Sequence, residues 1–289
     1  MALFDAYMMV DWSARSKPSP AKLVGDAIYI AFGSASAAPR TRYYRTRATA
    51  AAGMQALINQ CHDRGERLLA GFDFPFGYPA GFARAIGGSA SVFSVWKDLA
   101  ARIKDDETNA NNRFEVAGDL NRLFDGVGPF WGRPSTLDMA DLPTKGTARH
   151  GVGHPPERRV VETHVKSTQP CWKLYTTGSV GSQALLGIPI LQAYRKAAPH
   201  IRIWPFEDIS SAPVVFAEIY PSLFAKAVEK RQKQMPDVAK DALQVAASVQ
   251  YYADADKAGM LADMLEVPHQ QPEAEQITNE EGWILGVTP

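Results

Sequence analysis

The sequence predicts an α/β protein whose mixed sheet starts as an antiparallel meander, continues with parallel strands and is flanked by helices. Three short apolar or alternating runs near the N-terminus predict the meander, because turn-rich segments separate them. A segment of helical periodicity and then a long apolar run follow, as expected for a crossover helix and a parallel strand. With 289 residues and 46% apolar content, the chain can bury a full core.

The strands of the meander are predicted at Tyr7–Val10, Gly25–Phe32 and Arg40–Arg47. The third strand alternates arginine with tyrosine and threonine, so its side chains could contact phosphates and bases. An exposed edge strand protected by charge is the alternative interpretation of the same pattern. The sequence leaves both interpretations open.

A helix is predicted at 48–66, since Met54 and Ile58 follow helical spacing and Gly65 is placed to end it. The apolar run at 67–79 that follows is typical of a buried central strand. The helix is therefore expected to pack on the sheet and to connect the meander to this strand.

Three aspartates stand in apolar surroundings. Asp73 interrupts the run just described, and Asp11 follows the first predicted strand. Asp241 lies on a predicted helix at 238–253, on the same face as Val245. Carboxylates in apolar surroundings repel one another and take up protons unless a cation lies between them. Turn formation, helix capping and pairing with a lysine are the alternative roles of each aspartate alone.

Residues 80–212 are predicted to form a mainly helical insertion, and residues 1–79 and 213–289 to form the core. Within the insertion, helical periodicity marks 92–103, 114–124, 158–167 and 182–198, and a short strand is expected at 201–204. The pattern therefore predicts a lobe beside the sheet.

The core resumes with a β-branched and aromatic strand at Val214–Tyr220, which carries Glu218. The C-terminal residues 282–287 are expected to form a further strand or a docking segment. A meander, a crossover helix, a parallel strand and a later strand followed by an acid-bearing helix make up the RNase H-like order.

Several segments also carry a resemblance that spans nearly the whole chain. They are VDWS, GFDFPFGYP, GSVGSQALLGIPIL, AEIYPSLF, KDALQVAASV and EGWILGV. These segments resemble the predicted nucleases of domain-of-unknown-function family 429. The resemblance implies an RNase H-like fold and a metal-dependent nuclease or phosphodiesterase that acts on nucleic acid or on a nucleotide.

By the same resemblance, Asp11, Asp73 and Asp241 are the metal-binding catalytic acids, and Glu218 is a fourth ligand or supports the others. Mg²⁺ or Mn²⁺ is the expected cofactor, because both prefer hard carboxylate oxygens and keep several waters. Two such ions about 3.5–4 Å apart can activate a water and stabilise the leaving oxygen of a phosphodiester. Asp11 is the expected bridging ligand. A salt bridge to an arginine is the alternative role of Glu218.

Candidate substrate-binding residues flank the predicted strands and helices. They are Ser13, Arg15, Arg149, Arg158, Ser179 and Gly181. Ser13 and Arg15 come shortly after Asp11, whereas Arg149 and Arg158 lie in a polar loop. The last two precede a helix whose backbone N–H groups could bind phosphate. A solvated loop and a plain helix start are the alternatives.

Composition limits the function classes. Acids and bases balance at 31 each, so a polyanion needs a local patch to bind. Two cysteines without metal-type spacing suit a reducing cytoplasm. The sequence contains no apolar run long enough to span a membrane, and its first residues lack the basic start of a signal peptide.

Two rival functions remain. An actin-like or sugar-kinase-type phosphotransferase also carries an acid on its first strand, but it needs a glycine-containing hairpin around ATP, and Trp12 to Arg15 contain none. A non-catalytic binding protein would pair the acids with arginine or lysine. The sequence has neither a G-x-S-x-G elbow nor a P-loop, so it does not support those classes.

Overall fold

The computed structural model describes residues 2–148, 151, 153–267 and 273–288 of the chain. Within these ranges one sheet contains the strands β1 (Ala6–Asp11), β2 (Ile28–Ser34), β3 (Ala37–Tyr44), β4 (Leu68–Phe72), β5 (Ile201–Ile203) and β6 (Val214–Glu218). The strand order is β3-β2-β1-β4-β6-β5. The first three pair antiparallel, and β1, β4, β6 and β5 pair in parallel. The predicted α/β class with a mixed sheet is confirmed.

Helices flank this sheet. They are α1 (Arg47–Asp63), α2 (Phe82–Gly87), α3 (Val92–Arg102), α4 (Arg113–Asn121), α5 (Val160–His164), α6 (Gly181–Ala197), α7 (Ala225–Gln234), α8 (Lys240–Lys257), α9 (Leu261–Met264) and α10 (Ala274–Gln276). Short 3₁₀ turns lie at Gly146–Ala148 and Pro221–Phe224, and a π-helical turn lies at Ile277–Glu281. In the described part of the chain, no helix is both long and apolar enough to cross a membrane.

Side chains that alternate along the strands divide the core between the two faces of the sheet. Met8 packs in a cluster with Met54 of α1 and Ile188 of α6. Its neighbour Met9 packs on the opposite face, in a cluster with Val249 of α8. The sheet is therefore covered by helices on both faces, which explains why its central strands are apolar along their whole length.

Helix α8 lies across β1, β2 and β3. Its residues Val245, Val249 and Tyr252 are buried against the sheet, so the predicted apolar face is confirmed. Asp241 lies in the first turn of the helix and is half-buried. The packing of α8 thereby brings its N-terminal end to the sheet.

The block at 80–212 shares its core with the rest of the chain. Its strand β5 joins the edge of the sheet beside β6. Trp96 and Leu185, both from this block, belong to the same hydrophobic cluster as Met8 of β1. The helices of this block thus form part of the layer that covers one face of the sheet.

The C-terminal residues dock without forming a strand ladder. Trp283, Ile284 and Leu285 are buried, and a single bridge joins Ile284 to Glu218. Burial of an isoleucine or leucine side chain contributes about 1.5–3 kcal/mol, which is enough to hold a short segment in place. Of the two expectations for 282–287, the docking segment is the observed one.

Candidate functional site

Asp11 and Asp73 lie side by side because β1 and β4 are parallel neighbours. Val10 is opposite Phe72, and the N–H of Asp73 donates to the carbonyl of Val10 at 3.2 Å. Asp11 is the last residue of β1 and Asp73 is the first residue after β4. Both carboxyl groups therefore lie at the C-terminal ends of these parallel strands. The two carboxyl groups lie close enough to affect each other's pKa, so a proton held between them would relieve their repulsion.

Backbone N–H groups hold two of the carboxylates. Asp73 Oδ1 accepts from the N–H of Trp12 at 2.7 Å. Asp241 Oδ2 accepts from the N–H of Asp26 at 2.8 Å. Asp26 adopts a left-handed conformation with φ of 54°, which aspartate tolerates better than most residues. The loop before β2 therefore connects α8 to the end of β1.

The electrostatic environment of these acids is negative. Burial raises the pKa of Asp11 well above its usual range, and Asp73, Asp241 and Asp26 raise it further. Burial also raises the pKa of Asp73 from 3.8 to about 7, although the N–H of Trp12 opposes the rise. Of the described groups with the largest effects on the pKa values of Asp11 and Asp73, none is basic. Asp11, Asp73 and Asp241 therefore form an acidic cluster, and none of the three has an ion pair with a described basic residue, whereas Asp26 at its border lies near Arg15.

The acidic cluster meets part of what a divalent cation requires. In the ranges that the structure describes, no three His, Cys, Asp or Glu side chains are close enough to hold a metal ion as they stand. Asp11 and Asp73 nevertheless offer adjacent hard oxygen donors, and Mg²⁺ is often held by one or two carboxylates while it keeps several waters. A cation in place of such a proton would remove their repulsion. The donor chemistry of the pair fits Mg²⁺ or Mn²⁺.

Glu218 does not join the aspartates, and its expected role is corrected here. It is 3% exposed, and its two oxygens accept from Arg159 at 2.6 and 2.7 Å. The N–H of Phe76 is a further donor at 3.0 Å. Because Arg159 already balances its charge, Glu218 forms the buried salt bridge that was the alternative, and this position argues against a fourth metal ligand.

Two of the candidate substrate-binding residues lie beside the acids. Ser13 is buried, and its hydroxyl donates to the carbonyl of Asp26 at 2.8 Å. Arg15 is half-exposed, with Nη1 3.9 Å from Asp26 Oδ2. Both therefore belong to the loop that borders the acidic cluster.

The other candidates are engaged elsewhere. Arg158 donates to the carbonyl of Thr168 at 3.0 Å. The N–H of Ser179 donates to Thr176 and that of Gly181 to Lys173, at 3.1 and 3.0 Å, so neither amide is available to a phosphate. Arg149 lies outside the described residues.

Sequence reasoning missed three residues around the cluster. Gln183, in the first turn of α6, donates from Nε2 to the carbonyl of Trp12 at 2.6 Å. Arg47 donates to the carbonyls of Ser13 and Arg15 at 3.0 and 2.8 Å, and thereby shapes the loop after Asp11. Arg113 lies close enough to lower the pKa of Asp26. Each acts on residues more than 30 positions away, and no local pattern signals such contacts.

Helix starts offered a weak signal for two of them. Arg47 and Gln183 both lie in the first turn of a helix, where polar side chains are common. That position does not indicate which distant carbonyl the side chain meets.

Comparisons with known proteins gave no match to a family model, a curated protein or a solved structure.

Proposed function

We propose that this protein is a divalent-metal-dependent phosphodiesterase or nuclease whose centre is formed by Asp11, Asp73 and Asp241. The observation that carries the proposal is the environment of Asp11, where burial and three neighbouring carboxylates all raise its pKa. A structural role for buried acids ordinarily includes a basic partner, as Glu218 has in Arg159. A cluster that lacks one is typical of a cation site.

The sheet also supports the proposal. Its antiparallel first half and parallel second half are compatible with the RNase H-like arrangement, which we propose as the finer description of the fold. In that arrangement, acids at the ends of two adjacent parallel strands and on a later helix meet at one edge of the sheet. The resemblance to domain-of-unknown-function family 429 is part of the same proposal.

Asp11 and Asp73 would hold Mg²⁺ or Mn²⁺, and Asp241 would add negative charge beside them. A bound divalent cation supplies an acidified water and stabilises charge that develops on a phosphoryl group. The chain itself contributes orientation. The N–H of Trp12 fixes Asp73 and the N–H of Asp26 fixes Asp241, so backbone rather than flexible side chains sets the position of each carboxylate.

Cleavage assays test the proposal directly. Labelled single- and double-stranded DNA and RNA are incubated with the protein in Mg²⁺ or Mn²⁺, and Asp11→Asn and Asp73→Asn are compared with the wild type. Each variant is expected to lose about 10²-fold or more in rate, as is typical when a charge-stabilising group at a reaction centre is removed. Asp254→Asn, on the exposed side of α8, is the matched control and should retain activity.

Two results would contradict the proposal. One is the absence of phosphodiester cleavage with every substrate and both metals. The other is an Asp73→Asn variant as active as the wild type. Hydrolysis of ATP without cleavage of any phosphodiester would instead support the phosphotransferase alternative.

A further inference from the structure

Arg113, at the start of α4, is a buried arginine without a carboxylate partner. It is 7% exposed, and its hydrogen bonds go to neutral groups only. Nε donates to Ser182 Oγ at 2.9 Å, and Nη1 donates to Ser16 Oγ at 2.9 Å and to Asn111 Oδ1 at 2.8 Å. Among the described residues, none of its neighbours forms an ion pair with it.

Two more deeply buried arginines provide an internal comparison. Arg47 binds Asp105 through two nitrogens, at 2.5 and 2.6 Å. Arg159 binds Glu218 in the same two-pronged way. This chain therefore neutralises a buried guanidinium with a carboxylate in both of those places, and Arg113 is the exception.

The charge of Arg113 is correspondingly unfavourable in the free protein. Burial and, to a lesser extent, nearby Arg47 lower its pKa to about 10, because Asp105, Glu115 and Asp26 compensate only in part. Its Nη2 has no hydrogen-bond partner among the described residues. Nη2 is also not among the fully buried side-chain atoms that lack a partner, so solvent reaches it. An accessible donor on a guanidinium whose charge is only partly compensated is suited to an anion.

The surroundings of Arg113 strengthen this preference. Ser182 lies in the first turn of α6, a helix of 17 residues whose N-terminal end carries partial positive charge. The N–H groups of Ser182 and Gln183 have no acceptor among the described residues. The Ser182 hydroxyl accepts from Arg113 and donates to the carbonyl of Leu174 at 2.6 Å, so it holds the guanidinium in place. The exposed Ser16 hydroxyl can rotate to donate to an oxyanion.

This position adjoins the acidic cluster. Gln183 follows Ser182 and binds the carbonyl of Trp12, the residue next to Asp11. Ser16 belongs to the same loop as Ser13 and Arg15, which border Asp26. Arg113 and the acidic cluster therefore lie on the two sides of one short loop.

We propose that Arg113 and Ser16, beside the N-terminal end of α6, bind a second phosphate of a nucleic acid strand, next to the phosphodiester at the acidic cluster. This inference rests on the proposed function and adds its substrate class, a strand with at least two consecutive phosphates. Guanidinium and phosphate match in two-pronged geometry. The phosphate would take the place that carboxylates occupy at Arg47 and Arg159.

Binding without turnover tests the subsite. With Ca²⁺ in place of Mg²⁺, so that a hard cation occupies the acidic cluster, fluorescence anisotropy compares a labelled dinucleotide, which has one phosphodiester, with a labelled trinucleotide, which has two. We expect the wild type to bind the trinucleotide about 10- to 100-fold more tightly, as for one charge-assisted contact. Arg113→Gln should abolish this preference, whereas Arg202→Gln, at an exposed arginine of β5, should keep it.

A second readout separates recognition from a purely structural role. With cleavage active, Arg113→Gln should raise KM for the trinucleotide and leave KM for the dinucleotide unchanged. A structural role would lower the melting temperature and alter both substrates alike. Should Arg113→Gln fail to fold, the variant Ser16→Ala at the exposed serine applies the same test, and an unchanged preference in it would overturn the subsite.

The two proposals fail in different ways. If no substrate is cleaved but the trinucleotide preference exists and depends on Arg113, the subsite stands and the hydrolase proposal falls. If substrates are cleaved but the preference is absent or insensitive to Arg113, the subsite falls and the hydrolase proposal stands. Equal binding of inorganic pyrophosphate by the wild type and Arg113→Gln would also overturn the subsite.

Discussion

Replacement of Asp11 by asparagine is expected to stabilise the cation-free protein at alkaline pH. In the wild type, the raised pKa values of Asp11 and Asp73 favour a proton on this pair, and loss of that proton places two charges together with Asp241 close by. An asparagine amide can donate to the Asp73 carboxylate in place of that proton. Asp73 can then ionise without facing a second charge at position 11.

The raised pKa values set the direction of the pH dependence. The pKa of Asp73 is about 7 in the folded protein and 3.8 without the surroundings of the fold. The folded state keeps the proton on Asp73 to a higher pH than the unfolded state does. The contribution of protonated Asp73 to stability is therefore complete below about pH 4 and is lost as the pH rises to about 7. Asp11, whose pKa is also raised, changes stability in the same direction.

The magnitude follows from the same values. A rise from 3.8 to about 7 corresponds to roughly 4 kcal/mol, at about 1.36 kcal/mol per pH unit. Both carboxyl groups are half-buried rather than fully enclosed, so solvent reduces the realised effect to about 2–4 kcal/mol. Between pH 5 and pH 8, the free energy of unfolding of Asp73→Asn, which lacks this titrating group, should therefore rise by about 1–3 kcal/mol relative to the wild type, and that of Asp11→Asn should change in the same direction.

Urea unfolding in EDTA, followed by circular dichroism at pH 5 and pH 8, measures this difference. Asp254→Asn is the control for loss of a surface carboxylate on α8 and should show little change with pH relative to the wild type. Mn²⁺ at about 100 times its dissociation constant should then stabilise the wild type by about 2.7 kcal/mol and Asp11→Asn by far less. The reasoning is refuted if the difference between variant and wild type does not grow from pH 5 to pH 8.

Three further changes test the packing that positions the site. Arg159→Met leaves Glu218 buried without its cation, and should lower the free energy of unfolding in urea by about 3–5 kcal/mol; a loss below 1 kcal/mol would contradict the role of this pair. Trp283→Ala removes a buried anchor of the C-terminal segment and should lower the free energy of unfolding in urea by about 3–5 kcal/mol. Stability close to that of the wild type would contradict this role of Trp283. Thr46→Ala removes the N-cap of α1, where Thr46 accepts from the N–H of Thr49, and should cost about 1 kcal/mol; Thr46→Ser should restore most of it.

Local periodicity predicted the elements that carry the fold, although not all their limits. The helix at 48–66 is observed as Arg47–Asp63, and the inward face of α8 agrees with its apolar spacing. By contrast, β3 starts at Ala37, because pairing with β2 rather than side-chain pattern decides where an edge strand begins. Helix α7 was not predicted, since Val228 is its only buried apolar anchor and the segment is otherwise charged.

The acids and their neighbours show where sequence reasoning ends for the site. Asp11, Asp73 and Asp241 each stood out, because a carboxylate in an apolar pattern is conspicuous on its own. Glu218 stood out equally, yet a distant arginine neutralises it. Arg113 carries no local signal, because the significance of its charge depends on the absence of an acid from its surroundings.

From the sequence alone, therefore, the mixed sheet, its covering helices and the exceptional aspartates could be predicted, because hydrophobic periodicity and a buried charge are properties of neighbouring residues. Only the tertiary structure decided which buried charges are balanced and which are not. That outcome depends on distances between groups up to more than 200 positions apart, such as Asp26 and Asp241, and electrostatic energy depends on those distances and on burial rather than on order along the chain.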